Sequence, residues 1–196
     1  MDEEYSNPSQ NFVAGGATGA VSAIILNPLS TIRYKTWGRD VNRGMAKEVA
    51  GMVRDSGSFR PFFNGLAPTI ARDVVFGGCY TWLRLQIQCW GDLPPNEQWK
   101  ANLIAAGLAT VLSGPFNYVR NIHYATSSRD TADGTLQVLR KLAADANHQP
   151  TRIQKFHFLQ NRLRIGWGTM RVAMGVAFGH SVYDWLHTNT KHLFVR

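Results

Sequence analysis

Two stretches govern what this chain can fold into: Phe12–Ile32 and Ala101–Val119 contain no charged residue. Each approaches the roughly 20 residues that carry an α-helix across a bilayer core. Both are rich in Gly, Ala and Ser rather than uniformly aliphatic. Small residues let helix backbones approach closely, which is how helices associate where no hydrophobic effect separates them from lipid. Composition as a whole reads as soluble, with 44% hydrophobic and 17% charged residues. That average hides the segregation of charge. The competing reading is a pair of buried helices in a soluble α-protein, and length and flanking charges favour the membrane.

The formal net charge of +8 invites a nucleic-acid reading. No compact basic stripe and no zinc-ligand, RRM or helix-turn-helix signature supports it, so no nucleic-acid partner is expected. The cations instead punctuate the ends of apolar segments: Arg33, Lys35 and Arg39 after the first, Arg120 and Arg129 after the other. That distribution suits anchoring at a membrane surface and pairing with anionic phospholipid such as cardiolipin. Cys79 and Cys89 stand ten apart in one predicted helix, too far along the rod to bridge. The acidic, polar N-terminus has neither a secretory n-region nor an Arg-rich transit pattern, so no cleaved presequence is expected.

Along the chain, a polar lead (1–10) is followed by a helix from about Asn11 to Trp37 that Pro28 should kink. Gly15 and Gly19 share one face of it, a close-packing pattern. An amphipathic segment from Val41 to Asp55 sets Val41, Met45, Val49, Met52 and Val53 against Arg43, Lys47, Glu48 and Arg54. It reads as a helix along the membrane surface. A turn carries Gly57, Pro61 and Gly65, and a second long helix runs from about Pro68 to Trp90. Gly91–Pro95 is the clearest loop. A third long helix, about Gln98 to Ala125, contains Pro115. Then come a weak amphipathic segment (about Thr131–Ala146), an irregular basic stretch (Gln149–Arg164), a last helix (about Gly166–His187) and a basic tail (191–196). Long kinked helix, surface helix, long helix, and the same again: an internal repeat, with halves at 11–92 and 96–190.

The first half carries Gly15-Gly16-Ala17-Thr18-Gly19-Ala20-Val21-Ser22 and then Asn27-Pro28-Leu29-Ser30-Thr31-Ile32-Arg33. The second carries Pro115-Phe116-Asn117-Tyr118-Val119-Arg120 in the same place. Phe63-Asn64-Gly65 and Leu163-Arg164-Ile165-Gly166 stand before the second helix of each half. Tyr80-Thr81-Trp82-Leu83-Arg84 and Tyr183-Asp184-Trp185-Leu186-His187 lie near the far ends of those helices. In this order the motifs resemble the mitochondrial carrier family, over nearly the whole span from Asn11 to His187. The resemblance implies an all-α membrane protein of about four transmembrane helices plus short surface amphipathic helices, multi-pass in the mitochondrial inner membrane.

It also implies roles. Pro28, Ser30, Arg33, Pro115, Asn117 and Arg120 fall on the family's matrix-gate motif, in which an acidic and a basic residue pair between neighbouring repeats. Both acidic positions are neutral here, as Ser30 and Asn117. On the cytoplasmic side Tyr80, Arg84, Tyr183 and Asp184 survive, while Thr81 and His187 replace an acid and a permanent cation. Arg72 and Arg171 fall where carriers place cations that meet anionic substrates; pairing with Asp73, Asp184, lipid phosphate or a partner subunit is the plainer reading. The family closes six helices from three repeats, whereas four helices from two repeats leave inner faces to be covered by another chain.

Two functions follow as expectations. The first is a non-transporting, carrier-derived structural or accessory subunit of a larger inner-membrane complex, such as a respiratory-chain or ATP synthase assembly, with other membrane subunits as partners. The lost carboxylates carry it, because they remove the family's bistable element. The alternative is a reduced transporter that oligomerises and moves a small anionic metabolite past Arg72 and Arg171. No nucleophile–base arrangement, metal-ligand spacing or phosphate-cradling Gly loop points to an enzyme, a metal or a cofactor. Trp82, Trp90, Trp167 and Trp185 sit near helix ends, as interfacial anchors do.

Overall fold

The structure is a computed structural model that describes residues 8–37, 44–91, 94, 97–126 and 133–194; of Pro8, Trp90, Asp184, Thr188 and residues 191–194 it describes only the backbone. Most of the polar lead, the start of the Val41 segment, most of the Gly91–Pro95 loop and the last two residues of the tail lie outside the described residues. The described residues form α-helices and no strand. They are α1 (Pro8–Trp37), α2 (Met45–Ser56), a 3-10 turn (Arg60–Phe63), α3 (Leu66–Gly91), α4 (Gln98–Ala125), α5 (Thr135–Asn147), α6 (Arg152–Leu163) and α7 (Trp167–Phe194). The protein is thus all-α, with four long helices and short ones between them.

The long helices form an array in which α1 packs on α3, α3 on α4 and α4 on α7. Its seams are made of residues with little or no side chain. At the α1–α3 seam the Gly15 and Gly77 backbones touch, Gly19 lies on the Asp73 backbone, and the Phe12 ring covers Gly78. A Cβ added at Gly19 would stand 2.6 Å from the Asp73 carbonyl carbon, closer than packed atoms tolerate. On α4 the buried stripe is Ala101, Ala105 and Ala109 at four-residue spacing, with Ala106 beside it. Ala173 and Ala177 of α7 complete the next seam.

Large apolar side chains point the other way. Val13, Val21, Ile24, Ile25 and Leu29 of α1 are exposed, as are Ile104, Leu108 and Leu112, one stripe of α4. Small inside and large outside inverts the soluble pattern and matches helices that meet lipid. By length and composition alone α1, over Ser9–Trp37, is the described helix apolar enough to cross a membrane. The others dilute their hydropathy with polar groups on the inner side, among them Arg72, Asp73, Asn102 and Asn117.

Two expectations need correction. The basic stretch Gln149–Arg164 is not irregular: it contains α6, whose N-terminus is capped by Thr151 Oγ1 accepting from the Gln154 N–H at 3.2 Å. Its apolar residues Ile153, Phe156, Leu159 and Leu163 recur at helical spacing among the basic ones, although none of its residues is fully buried. Glu48 is not on the exposed side of α2 but buried, one turn from Met52, while Met45 is exposed. Glu48 and Met52 share the face of α2 that meets α1, and that contact, not polarity, sets the helix's rotation. The last helix also runs further than His187, to Phe194, taking in the start of the basic tail.

The seams set a test. Gly19→Ala and Gly15→Ala should each lower stability in detergent by about 1–3 kcal/mol, because backbone must move to admit a methyl group. Gly179→Ala on α7 meets nothing within 4 Å; it should instead leave the melting temperature unchanged or raise it, through the roughly 1 kcal/mol difference in helix propensity. Melting temperatures from intrinsic tryptophan fluorescence check both directions.

Candidate functional site

The gate residues lie near one end of α1 and α4. Asn27, just before Pro28, is fully buried there. Its Nδ2 donates to the Phe62 carbonyl (3.0 Å) and the Asn64 carbonyl (3.4 Å). Its Oδ1 accepts from the Tyr124 hydroxyl (2.8 Å) and from Thr69 Oγ1 (3.0 Å). The two donor and two acceptor positions of the amide are all used. Thr69 Oγ1 also lies 3.1 Å from the Tyr124 oxygen and 2.7 Å from the Gly65 carbonyl, so its one proton is shared among three acceptors. Gly65 has φ 75° and the Tyr124 ring rests on it; a Cβ would come within 2.9 Å of that ring. Thr31 Oγ1 donates to the Asn27 carbonyl at 3.0 Å. An uncharged network thereby joins α1, the 3-10 turn, α3 and α4, bridging both halves of the chain.

Around this joint the cations have no gate acid to meet. Arg33 is exposed and stacks on Trp37, 4.5 Å from the ring centroid. Ser30 is half-buried. Arg120 stacks against Tyr124 at 5.5 Å, and its buried Nε has no hydrogen-bond partner among the described residues. Its nearest side-chain acceptor is Asn121 Oδ1, 3.5 Å from Nη2.

Next to Arg120 a cavity of about 360 Å³ opens on the inner side of α3, α4 and the α6–α7 corner. Arg72 and Asp73 line it from α3, Ser113, Asn117 and Arg120 from α4, and Arg164 from the corner. Arg72 and Asp73 form an ion pair, with Arg72 Nε 2.6 Å from Asp73 Oδ1. The lining thus counts three arginines and one aspartate, an excess of two formal positive charges. Arg72 and Arg120 are half-buried and Arg164 is exposed; guanidiniums in such a setting can donate charge-assisted hydrogen bonds to an anion. The inner surface continues past Arg72 and Asp73 into a shallower groove along Thr18 and Ser22 of α1.

The remaining sequence candidates are scattered. Arg171 is exposed on α7 and does not line the cavity. Tyr80 donates to Asn102 Oδ1 across the α3–α4 seam at 3.2 Å, and the Nε of Arg84 is buried without a partner among the described residues. Tyr183 is exposed and stacks between His180 and His187 on α7; the Asp184 side chain lies outside the described residues. Trp82, Trp167 and Trp185 are exposed, whereas the Trp90 side chain is not described. The sequence points to no role for Asn27, Thr69 or Tyr124, and Arg164 stands out there only within the turn Leu163-Arg164-Ile165-Gly166. Asn27 and Thr31 did carry a signal, as amide and hydroxyl groups inside an uncharged span that must find partners there.

The network predicts a graded loss. Tyr124→Phe removes one hydroxyl and should cost about 1 kcal/mol of unfolding free energy. Asn27→Ala strands two hydroxyls and two carbonyls and should cost about 3 kcal/mol or more. The double variant should cost less than the sum, since the two share a bond. Denaturant melts of the four proteins supply the cycle.

Residues 4–88 match the family model described as mitochondrial carrier protein. The chain is 28% identical over 133 residues, 61% of its length, to mitochondrial thiamine pyrophosphate carrier 1 of Pyricularia oryzae. It is 27% identical over 125 residues, 55% of its length, to the mitochondrial aspartate-glutamate transporter AGC1 of Saccharomyces cerevisiae. It spans 39% of the first relative's length and 14% of the second's. With the motif order of its first half and the helix array built on it, residues 4–88 of the chain are similar to the mitochondrial carrier family.

Proposed function

We propose that this chain is a multi-pass carrier unit of the mitochondrial inner membrane that binds a small anionic metabolite and moves it across. The observation that carries this is the cavity shared by Arg72, Arg120 and Arg164, with its excess of two positive charges. Both relatives are named as transporters, which favours transport over a purely structural role. Loss of the gate carboxylates takes on a second meaning here. With Asn117 in place of an acid, Arg120 has no counter-ion among the described residues and its charge is available to a ligand. The inner surface runs from α7 across to Thr18 and Ser22 of α1, and the described residues leave it open on one side. Transport and not catalysis is the activity proposed.

A non-transporting subunit of a larger complex is the second reading, and the Asn27–Tyr124–Thr69 network favours it. That network ties the two halves together at the end where a carrier's repeats would have to part.

Proteoliposomes separate the two. Labelled pyrophosphate or dicarboxylate should exchange faster than in protein-free vesicles, and Arg120→Gln should lower the rate about tenfold or more, the loss expected when a charge-assisted bond to the solute is removed. Asn117→Asp should weaken anion binding as well, by placing a carboxylate three residues from Arg120 on the same helix face. Wild-type exchange at the background rate, together with recovery in one large stoichiometric complex after gentle detergent extraction, would favour the structural subunit.

A further inference from the structure

Arg164 is the one non-glycine residue with positive φ among the described residues, at φ 55° and ψ 37°. It closes α6: its N–H donates to the Asn161 carbonyl at 3.3 Å, and the Ile165 N–H donates to the Gln160 carbonyl at 2.9 Å. Left-handed backbone at a helix end is the usual place of glycine, because a Cβ there crowds the following carbonyl. The other corners follow that rule, with Gly57 ending α2 at φ 64° and Gly65 opening α3 at φ 75°. At α6 an arginine accepts the strained conformation that glycine would take freely.

Nothing in the corner itself needs the side chain. The Arg164 guanidinium makes no hydrogen bond or ion pair with any described residue, and both capping bonds are made by backbone. Arg164, an exposed residue, stands at the edge of the cavity that Arg72 and Arg120 also line. Strain tolerated where packing does not require it is a mark of function. We infer that Arg164 is a ligand-binding residue that sets the cavity's specificity, completing a site for an oxyanion of two or more negative charges. This rests on the anion reading of the cavity and goes further in naming the charge class. With Asp73 neutralising Arg72, Arg120 alone offers one free cation; Arg164 supplies the second. Phosphate and carboxylate oxygens fit the guanidinium fork equally well. The oxyanion can belong to a soluble metabolite or to a lipid headgroup.

The test uses the whole chain in nanodiscs with inorganic pyrophosphate as the probe and acetate as the singly charged comparison. Pyrophosphate should raise the melting temperature of the wild type and acetate should not. Arg164→Gly should melt no lower than the wild type without ligand, since glycine relieves the strain, yet bind pyrophosphate at least about tenfold more weakly, the loss of one charge-assisted contact. Arg164→Lys should keep most of the response. A pyrophosphate shift that persists in anionic-lipid discs assigns the site to a soluble anion; one seen only in neutral discs assigns it to a headgroup, and both depend on Arg164. If Arg164→Gly binds as the wild type does while Arg120→Gln does not, Arg164 has no part in the site although the cavity reading stands. If the wild type responds to pyrophosphate in neither lipid, both readings fall.

Discussion

A buried amide loses free energy for each hydrogen-bonding position left empty, and Asn27 fills all four on three different elements. Phe62 and Asn64 fix the turn between α2 and α3, Thr69 fixes the first turn of α3, and Tyr124 fixes the end of α4. Once these are set, α1 and α3 must run close enough for Gly15 and Gly77 to touch, and α4 must lie where Arg120 borders the cavity. The joint is neutral. It needs no counter-ion and carries none of the desolvation cost of buried charge. That leaves Arg120 as a cation unclaimed by a carboxylate of the described residues.

The cavity depends on this separation of duties. In the family resemblance, gate cations and gate acids hold the structure shut by pairing. In this chain the holding is done by amide and hydroxyl groups, and the cations face a space of about 360 Å³. Arg72 keeps a partner in Asp73 beside it on α3, so that pair is nearly neutral as a unit. The net charge of the site then comes from α4 and the α6–α7 corner, both in the second half of the chain. The matched family segment, residues 4–88, lies in the first.

How much of this the amino-acid order discloses varies by element. Absence of charge over Ala101–Val119 marks the middle of α4, and the expected ends near Gln98 and Ala125 agree with the helix. The four-residue spacing of Gly15 and Gly19 already marks a face that can meet another backbone. Basic and polar residues could not disclose α6 and masked the helical spacing of Ile153, Phe156, Leu159 and Leu163 behind the Thr151 cap. Nor could they place Glu48, whose face is chosen by the approach of α1. Arg171 and Arg164 show the same limit at the site. Helical phase on α7 depends on how the chain turns at Arg164 and Gly166, two positive-φ residues, and the turn directs Arg164 to the cavity and Arg171 away from it. Asn27 was visible as part of the Asn27-Pro28 pair, but its partners lie 35 to 97 residues away in sequence.

Hydrogen–deuterium exchange of the wild-type protein in nanodiscs, with and without pyrophosphate, bears most directly on a cavity that binds anions beside a fixed neutral joint. Added pyrophosphate should slow exchange in residues 110–120 and 160–169, which carry the cavity lining of α4 and the α6–α7 corner, while residues 27–31 stay equally protected in both states. Unchanged exchange at the lining, or exchange at residues 27–31 as fast as at an exposed helix end, would contradict it.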